Sequence, residues 1–524
     1  MEFTTIEPNK YVMKNLKYLY CALAIALFLG ACSDDSSSTG PEPPPPEQGE
    51  VSAEKQFVYN AMNYWYYWQG DVPDLADDRF ADDDALREFL MGYSDAEALY
   101  DDLQFIDDDF SFFIDDYEEF QDEQDGIFAA LGFNFGFIGF ENSDRIVGYV
   151  QYIIPGSPAD DAGLERLDLF TEVDGTPLNT SNFVGILRDD SAHELTLADI
   201  ESSEDGVSFP ETGTVNIASE QVVEDPVYVS TVIDTGDTKI GYMLYNAFRG
   251  NYHEALNNAF GDFKSQGIDD LVLDLRYNGG GAVITSQLLS SMISGLGSSS
   301  VFAEFDYSQK RSQQSQEVFF LDEVPLQNED REFETNGQGE FVNTVPINAL
   351  SLDQVYVLTS SGTASASEAL INGLSPYINV TIIGTQSVGK DEGSLTLYDA
   401  PAPYLDEDQA NPDHKNAIQP IVLKIVNSNG EDYPDGFTPV GEDNISEITV
   451  ENLQNKPEIG SPDDPLLGRA ISLITGEPMS EKSTTAQARD FMHSAKILMD
   501  SNDLRPRGKD MYIEPFMMPV ESEN

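Results

Sequence analysis

Three short stretches carry the residue types that acyl transfer needs. Ser365 lies in Thr359-Ser360-Ser361-Gly362-Thr363-Ala364-Ser365-Ala366-Ser367-Glu368, where an apolar strand-like run passes into a helical one. A serine at a helix N-terminus sits in a positive field with unpaired N–H groups beside it. Ala364 and Ala366 are small enough to let a substrate carbonyl approach. Lys390 closes the turn Gly384-Thr385-Gln386-Ser387-Val388-Gly389-Lys390. A lysine kept neutral by burial or by the same helix field can take a serine proton. The third stretch, Asp274-Leu275-Arg276-Tyr277-Asn278-Gly279-Gly280-Gly281, follows a strand and presents backbone N–H groups. The N–H groups of Ala366 and Gly280 are the expected donors to an oxyanion.

Each stretch also has a plainer meaning. Ser365-x-x-Glu368 has the spacing of a helix capping box, and a lysine after a glycine turn is ordinarily a surface residue. Gly384-x-x-x-x-Gly389-Lys390 opens like a phosphate-binding loop. It fails at Asp391, where a Ser or Thr is needed, and a strand-like Gly393–Tyr398 follows in place of a helix. It is the combination of the three stretches that points to a serine–lysine nucleophile.

Other chemistries find less support. The four histidines (His193, His253, His414, His493) lack metal-ligand spacing, and the two cysteines, Cys21 and Cys32, both lie near the start. No metal site and no cofactor is expected. Acidic runs such as Asp107-Asp108-Asp109 do not form a calcium loop. A net charge of −67 repels phosphate backbones and argues against a nucleic-acid partner.

The elements that must position these residues fall into a multidomain α/β chain. Residues 1–32 form an export signal: Lys14 and Lys17 precede a short apolar run from Tyr18 to Leu29. The run ends in Leu29-Gly30-Ala31-Cys32, which resembles a bacterial lipobox and makes Cys32 the expected lipidated N-terminus. Residues 33–50, rich in Ser, Gly and Pro, read as a tether. From 51 to 124 Phe57, Ala61, Tyr64 and Trp68 recur at helical steps, which predicts a helical N-terminal domain. From 125 to 224 short strands and turns predominate, with an acidic loop insertion expected over 188–211. From 226 to 480 apolar runs at 271–275, 355–358 and 380–383 read as buried parallel strands. Helical stretches near 253–265, 282–295 and 365–376 lie around them. A last helix is expected over about 485–499, in a C-terminal tail spanning 481–524.

Two resemblances organise this pattern. Ala130-Leu131-Gly132-Phe133-Asn134-Phe135, Ile154-Pro155-Gly156-Ser157-Pro158-Ala159, Ala162-Gly163-Leu164 and Val173-Asp174-Gly175 together resemble a PDZ domain, β-rich with short helices. That resemblance implies that Leu131, Gly132 and Phe133 bind the C-terminus of a protein or peptide substrate. The three chemical stretches, in this order and with this separation of Ser365 from Lys390, resemble the C-terminal processing (tail-specific) peptidases. That family implies a crotonase-like ββα catalytic domain, Ser365 as nucleophile and Lys390 as base. Many members carry a glutamine four residues after the lysine, to orient it; here that position is Ser394. The expected protein is thus a serine endopeptidase cleaving near protein C-termini, lipid-anchored in the bacterial cell envelope at the outer membrane. The alternative is a PDZ-containing peptide-binding scaffold whose catalysis is weak or lost.

Overall fold

The computed structural model describes residues 51–187, 191–203, 206–478, 495–505 and 508–518. The export signal, Cys32, the tether and residues 479–494 of the tail lie outside the described residues. Among the described residues no helix is long and apolar enough to cross a membrane.

The first part is helical, with helices Ala53–Trp65, Asp83–Met91, Ala96–Leu103 and Tyr117–Gln124. Aspartates start three of them: the side chains of Asp82, Asp95 and Asp116 accept N–H groups of the first turn. Part of the acidity between helices is therefore capping chemistry, where a carboxylate meets unpaired donors and the positive helix end. In the aromatic run 64–68, Trp65 and Tyr66 are buried and the others half-buried, and the first helix ends at Trp65, leaving Trp68 beyond it.

Residues 127–223 supply most of a second layer. A sheet runs Glu211–Ile217, His193–Ala198, Leu169–Val173, Ile146–Ile153, Phe133–Phe140 and Ala495–Asp500, with Thr176–Pro177 on the side. The hairpin at Asp174-Gly175 turns through two residues of positive φ (52° and 69°), the geometry of a two-residue primed turn. The stretch expected as a loop insertion contains a strand, His193–Ala198, and a hairpin, Glu201–Ser203 with Gly206–Ser208. The last strand, Ala495–Asp500, corrects the end of the helix expected over about 485–499, of which 485–494 lie outside the described residues. It pairs antiparallel with Phe133–Phe140 (Ala495 opposite Phe140, Asp500 opposite Gly136), and an unpaired sheet edge outweighs local helix propensity.

The catalytic candidates sit on a five-stranded sheet ordered Val227–Asp234, Lys239–Tyr245, Asp270–Asp274, Gln354–Thr359, Asn379–Gly384. The first pair is antiparallel; the other pairings are parallel, which requires crossovers. Helices His253–Gln266, Val283–Ser294 and Ala366–Leu374 supply them. The strand Asp270–Asp274 is buried along its whole length, which explains its continuous apolar run. A second, six-stranded sheet contains Glu392–Ser394 and Met511–Tyr512 beside the Gly281–Ala282 strand.

Candidate active site

The turn from strand Gln354–Thr359 into helix Ala366–Leu374 sets Ser365 at φ 59°, ψ −118°. A non-glycine residue there is strained, and such strain persists only where surrounding contacts enforce it. They do: the Ser365 N–H donates to Glu368 Oε2 at 2.9 Å. The same oxygen accepts the Lys390 N–H at 2.9 Å, while Oε1 accepts Ser387 Oγ–H (2.6 Å) and the Gly389 N–H (2.7 Å). One buried carboxylate thus ties the serine turn to the lysine turn. Burial pushes the Glu368 carboxyl up to about 7, against the pull of those donors.

Ser365 and Lys390 are both buried, and their functional atoms meet at one point. Ser365 Oγ donates to the carbonyl oxygen of Lys509 at 2.8 Å, and Lys390 Nζ donates to the same oxygen at 3.0 Å. They do not bond each other. Lys390 Nζ also lies 3.2 Å from Asp510 Oδ1 and 4.7 Å from the Phe110 ring centre. The expected pair is thus brought together, with a third party between its members.

Two expected roles are altered. Ser394 makes no hydrogen bond to the lysine: its hydroxyl donates to Asp510 Oδ1 (2.9 Å) and accepts from Gln419 Nε2 (2.9 Å). Asp510 links the two, since its Oδ1 meets both the Ser394 hydroxyl and Lys390 Nζ, and it is held also by Gln419 at 3.2 Å. The Gly280 N–H donates to Asn278 Oδ1 at 2.9 Å, because the asparagine side chain bonds its own backbone two residues on. Gly280 nonetheless borders the site: a Cβ there would lie 2.7 Å from Ser365 Cβ and 3.2 Å from the Ala366 nitrogen, at φ 123°. Ser367 turns elsewhere, donating to the Asn278 carbonyl at 3.1 Å.

The glycine run is anchored from its other end. Arg276, fully buried, is gripped by Asp274, Asp464 and Glu447. Burial works against the Asp464 carboxylate, but Arg276 and Arg166 outweigh it and hold it down to about 2. Leu131 and Phe133 are buried, and Gly132, at φ 89°, accepts Ser157 Oγ–H (3.0 Å) and the Ile154 N–H (2.8 Å) through its carbonyl. No cluster of three or more His, Cys, Asp or Glu able to hold a metal occurs among the described residues.

Glu368, Asp510, Gln419 and the Lys509 carbonyl were not assigned chemical roles from the sequence. For Glu368 the Ser-x-x-Glu spacing was a usable signal, read as a cap; the others come from distant segments with no local motif.

Comparison with known proteins gives this site a context. A family model described as peptidase family S41 matches residues 239–400, which contain Ser365, Glu368 and Lys390. A second, for the peptidase S41 N-terminal domain, matches residues 53–112. The chain is 25% identical over 241 residues to a carboxyl-terminal-processing protease of Picosynechococcus sp., covering 45% of this chain and 49% of that one. It is 25% identical over 282 residues to the carboxy-terminal processing protease CtpA of Bacillus subtilis, covering 51% of each. The alignments span about half the length of these curated relatives. A solved structure assigned to the S41 proteases, from Bacteroides fragilis, aligns with TM-score 0.58 and 25% identity, covering 80% of this chain and 97% of the other.

Proposed function

The chain belongs to peptidase family S41, and on that premise we propose that it is a serine endopeptidase cleaving polypeptides near their C-termini. Ser365 attacks the scissile carbonyl, Lys390 takes its proton, and the Ala366 N–H holds the oxyanion at the helix N-terminus. The Gly280 N–H joins it when Asn278 releases it. Glu368 fixes both turns. The observation that carries this reading is the convergence of Ser365 Oγ and Lys390 Nζ on one carbonyl oxygen, on a turn strained at the serine.

The finer parts of the reading have separate supports. A PDZ-type role for residues 125–224 rests on the Leu131-Gly132-Phe133 turn leading into a strand, and a crotonase-like catalytic domain on the strand–helix alternation over 226–480. A lipid anchor at Cys32, placing the protein in the bacterial cell envelope, rests on the lipobox. Capture of the substrate C-terminus by Leu131, Gly132 and Phe133 would feed the chain toward Ser365.

The scaffold alternative draws on one observation: Asp510 is ion-paired with Lys390 Nζ, the atom that must accept the serine proton. Incubating the protein with an unfolded polypeptide and mapping fragments by mass spectrometry separates the two. The peptidase reading requires fragments from the wild type and none from Ser365→Ala. Binding of the polypeptide's C-terminus without fragments would favour the scaffold.

A further inference from the structure

Two stretches near the C-terminus, residues 495–505 and 508–513, lie where a substrate would have to lie. Strand Ala495–Asp500 occupies the free edge of Phe133–Phe140, the strand that follows the Leu131-Gly132 turn, and it runs antiparallel to it. Ser501 Oγ continues the contact by accepting the Phe135 N–H at 3.4 Å. Met499 and Leu504 pack against the apolar cluster that contains Leu131 and Phe133. This is how an extended peptide adds to a sheet edge: main-chain bonds along the strand and side chains in the flanking apolar pocket.

The second stretch reaches the catalytic candidates. The Asp510 carbonyl accepts the Gly281 N–H at 2.8 Å, and Met511–Tyr512 pairs with Gly281–Ala282 as a parallel strand. The Lys509 carbonyl takes the Ser365 hydroxyl and the Lys390 ammonium together, and the Asp510 carboxylate pairs with that ammonium. A scissile carbonyl would present its carbon to Oγ and turn its oxygen toward the oxyanion donors. Here the oxygen faces Oγ, so the contact blocks attack and does not begin it.

We propose that residues 495–505 and 508–510 are an internal occupant of the peptide-binding edge and of the Ser365 site, which an extended peptide with an apolar C-terminal residue displaces. This rests on the peptidase reading above and deepens it, by stating what the resting site holds and which ligands compete. Leu504, packed against the apolar cluster that contains Leu131 and Phe133, marks the apolar end that a competing peptide must supply. An occupant in the same chain competes at an effective concentration of about a millimolar, so weak peptides leave the site closed. Met511 and Ile513, buried in the main core, anchor the segment behind the part that moves.

The test uses the full chain carrying Ser365→Ala, so that no cleavage is needed for the readout. The probe is a heavy-isotope peptide copying residues 495–504, ending in leucine with a free carboxylate. Amide exchange at 495–500 should speed up when the peptide binds, while 133–140 stays protected. Met499→Asp, which weakens the internal strand, should tighten peptide binding roughly 5-fold, because less of the chain is closed. Ser501→Ala, a milder change, should act in the same direction, which covers a failure of Met499→Asp to fold. Unchanged exchange at 495–500 with peptide bound, or weaker binding by a folded Ser501→Ala chain, would overturn the proposal. Cleavage by the wild type with 495–500 still protected would overturn it and leave the peptidase reading standing.

Discussion

The backbone N–H groups of Ser365 and Lys390 donate to the same oxygen, Glu368 Oε2, each at 2.9 Å. The nucleophile and the base are therefore located by one carboxylate, which has no need to touch either functional atom. Glutamine at position 368 offers a single acceptor oxygen and turns an NH₂ toward the remaining donors. Glu368→Gln should lower kcat on the order of 10–100-fold, with a smaller effect on KM, as expected of a group that positions others. Steady-state kinetics on a peptide substrate check this; an unchanged kcat would remove Glu368 from the account.

The raised Glu368 carboxyl makes a pH prediction. With its pKa pushed up to about 7 by burial, Glu368 gains a proton as pH falls through 7 and then opposes the donors around it. Activity should therefore fall below about pH 7. In Glu368→Gln that limb should be lost. A profile of kcat/KM against pH for both proteins decides it.

Much of this arrangement was legible in the sequence, and the remainder has a physical reason for being hidden. The runs at 271–275 and 355–358 read correctly because a parallel strand covered on both faces is apolar throughout, whereas 380–383 is a parallel strand at the sheet edge with only Ile383 buried. Ser365 and Lys390 could be singled out because glycine turns and small neighbours are local requirements, and the structure brings their side chains to one carbonyl oxygen. Strand Ala495–Asp500 did not, since its conformation is set by an edge lying far away in the sequence. Asp510 was invisible for the same reason: nothing near it announces a contact with Lys390. Ser394 was noticed, but no sequence pattern shows that Asp510 will meet both its hydroxyl and Lys390.

Gly280 should tolerate no side chain. A Cβ there would meet the Asp510 carbonyl oxygen at 2.4 Å and Ser365 Cβ at 2.7 Å, and φ is 123°. Gly280→Ala should cost about 1–3 kcal/mol of stability and most of the activity. Urea denaturation with parallel peptide assays tests both; wild-type behaviour would show that this close approach is not present in solution.

His253 should make the protein acid-sensitive. It is fully buried between the Pro325 carbonyl and Thr285 Oγ1, each 2.8 Å away, and burial lowers it to about 4. Because the unfolded chain binds the proton first, the neutral imidazole's contribution is complete above about pH 6.5 and is lost as pH falls toward 4. Between pH 7 and pH 5 this amounts to about 2 kcal/mol. The wild type should lose more stability over that interval than His253→Gln does, by denaturant titration at the two pH values. Equal losses would mean that His253 is not desolvated as described.

Free and amidated peptide C-termini should differ if Leu131, Gly132 and Phe133 hold a carboxylate. Amidation should raise KM with little change in kcat, since it removes binding and leaves the chemistry alone. Equal KM values would take this role from the turn.

The central claim is that Ser365 and Lys390 act as one unit, and a double-mutant comparison of kcat/KM tests it most directly. Ser365→Ala and Lys390→Ala should each lower kcat/KM by at least on the order of 10³-fold, and the double variant should be scarcely worse than either. Ser367→Ala, whose hydroxyl bonds Asn278, should retain cleavage. Multiplying losses in the double variant, or cleavage by Ser365→Ala at the wild-type rate, would contradict the account.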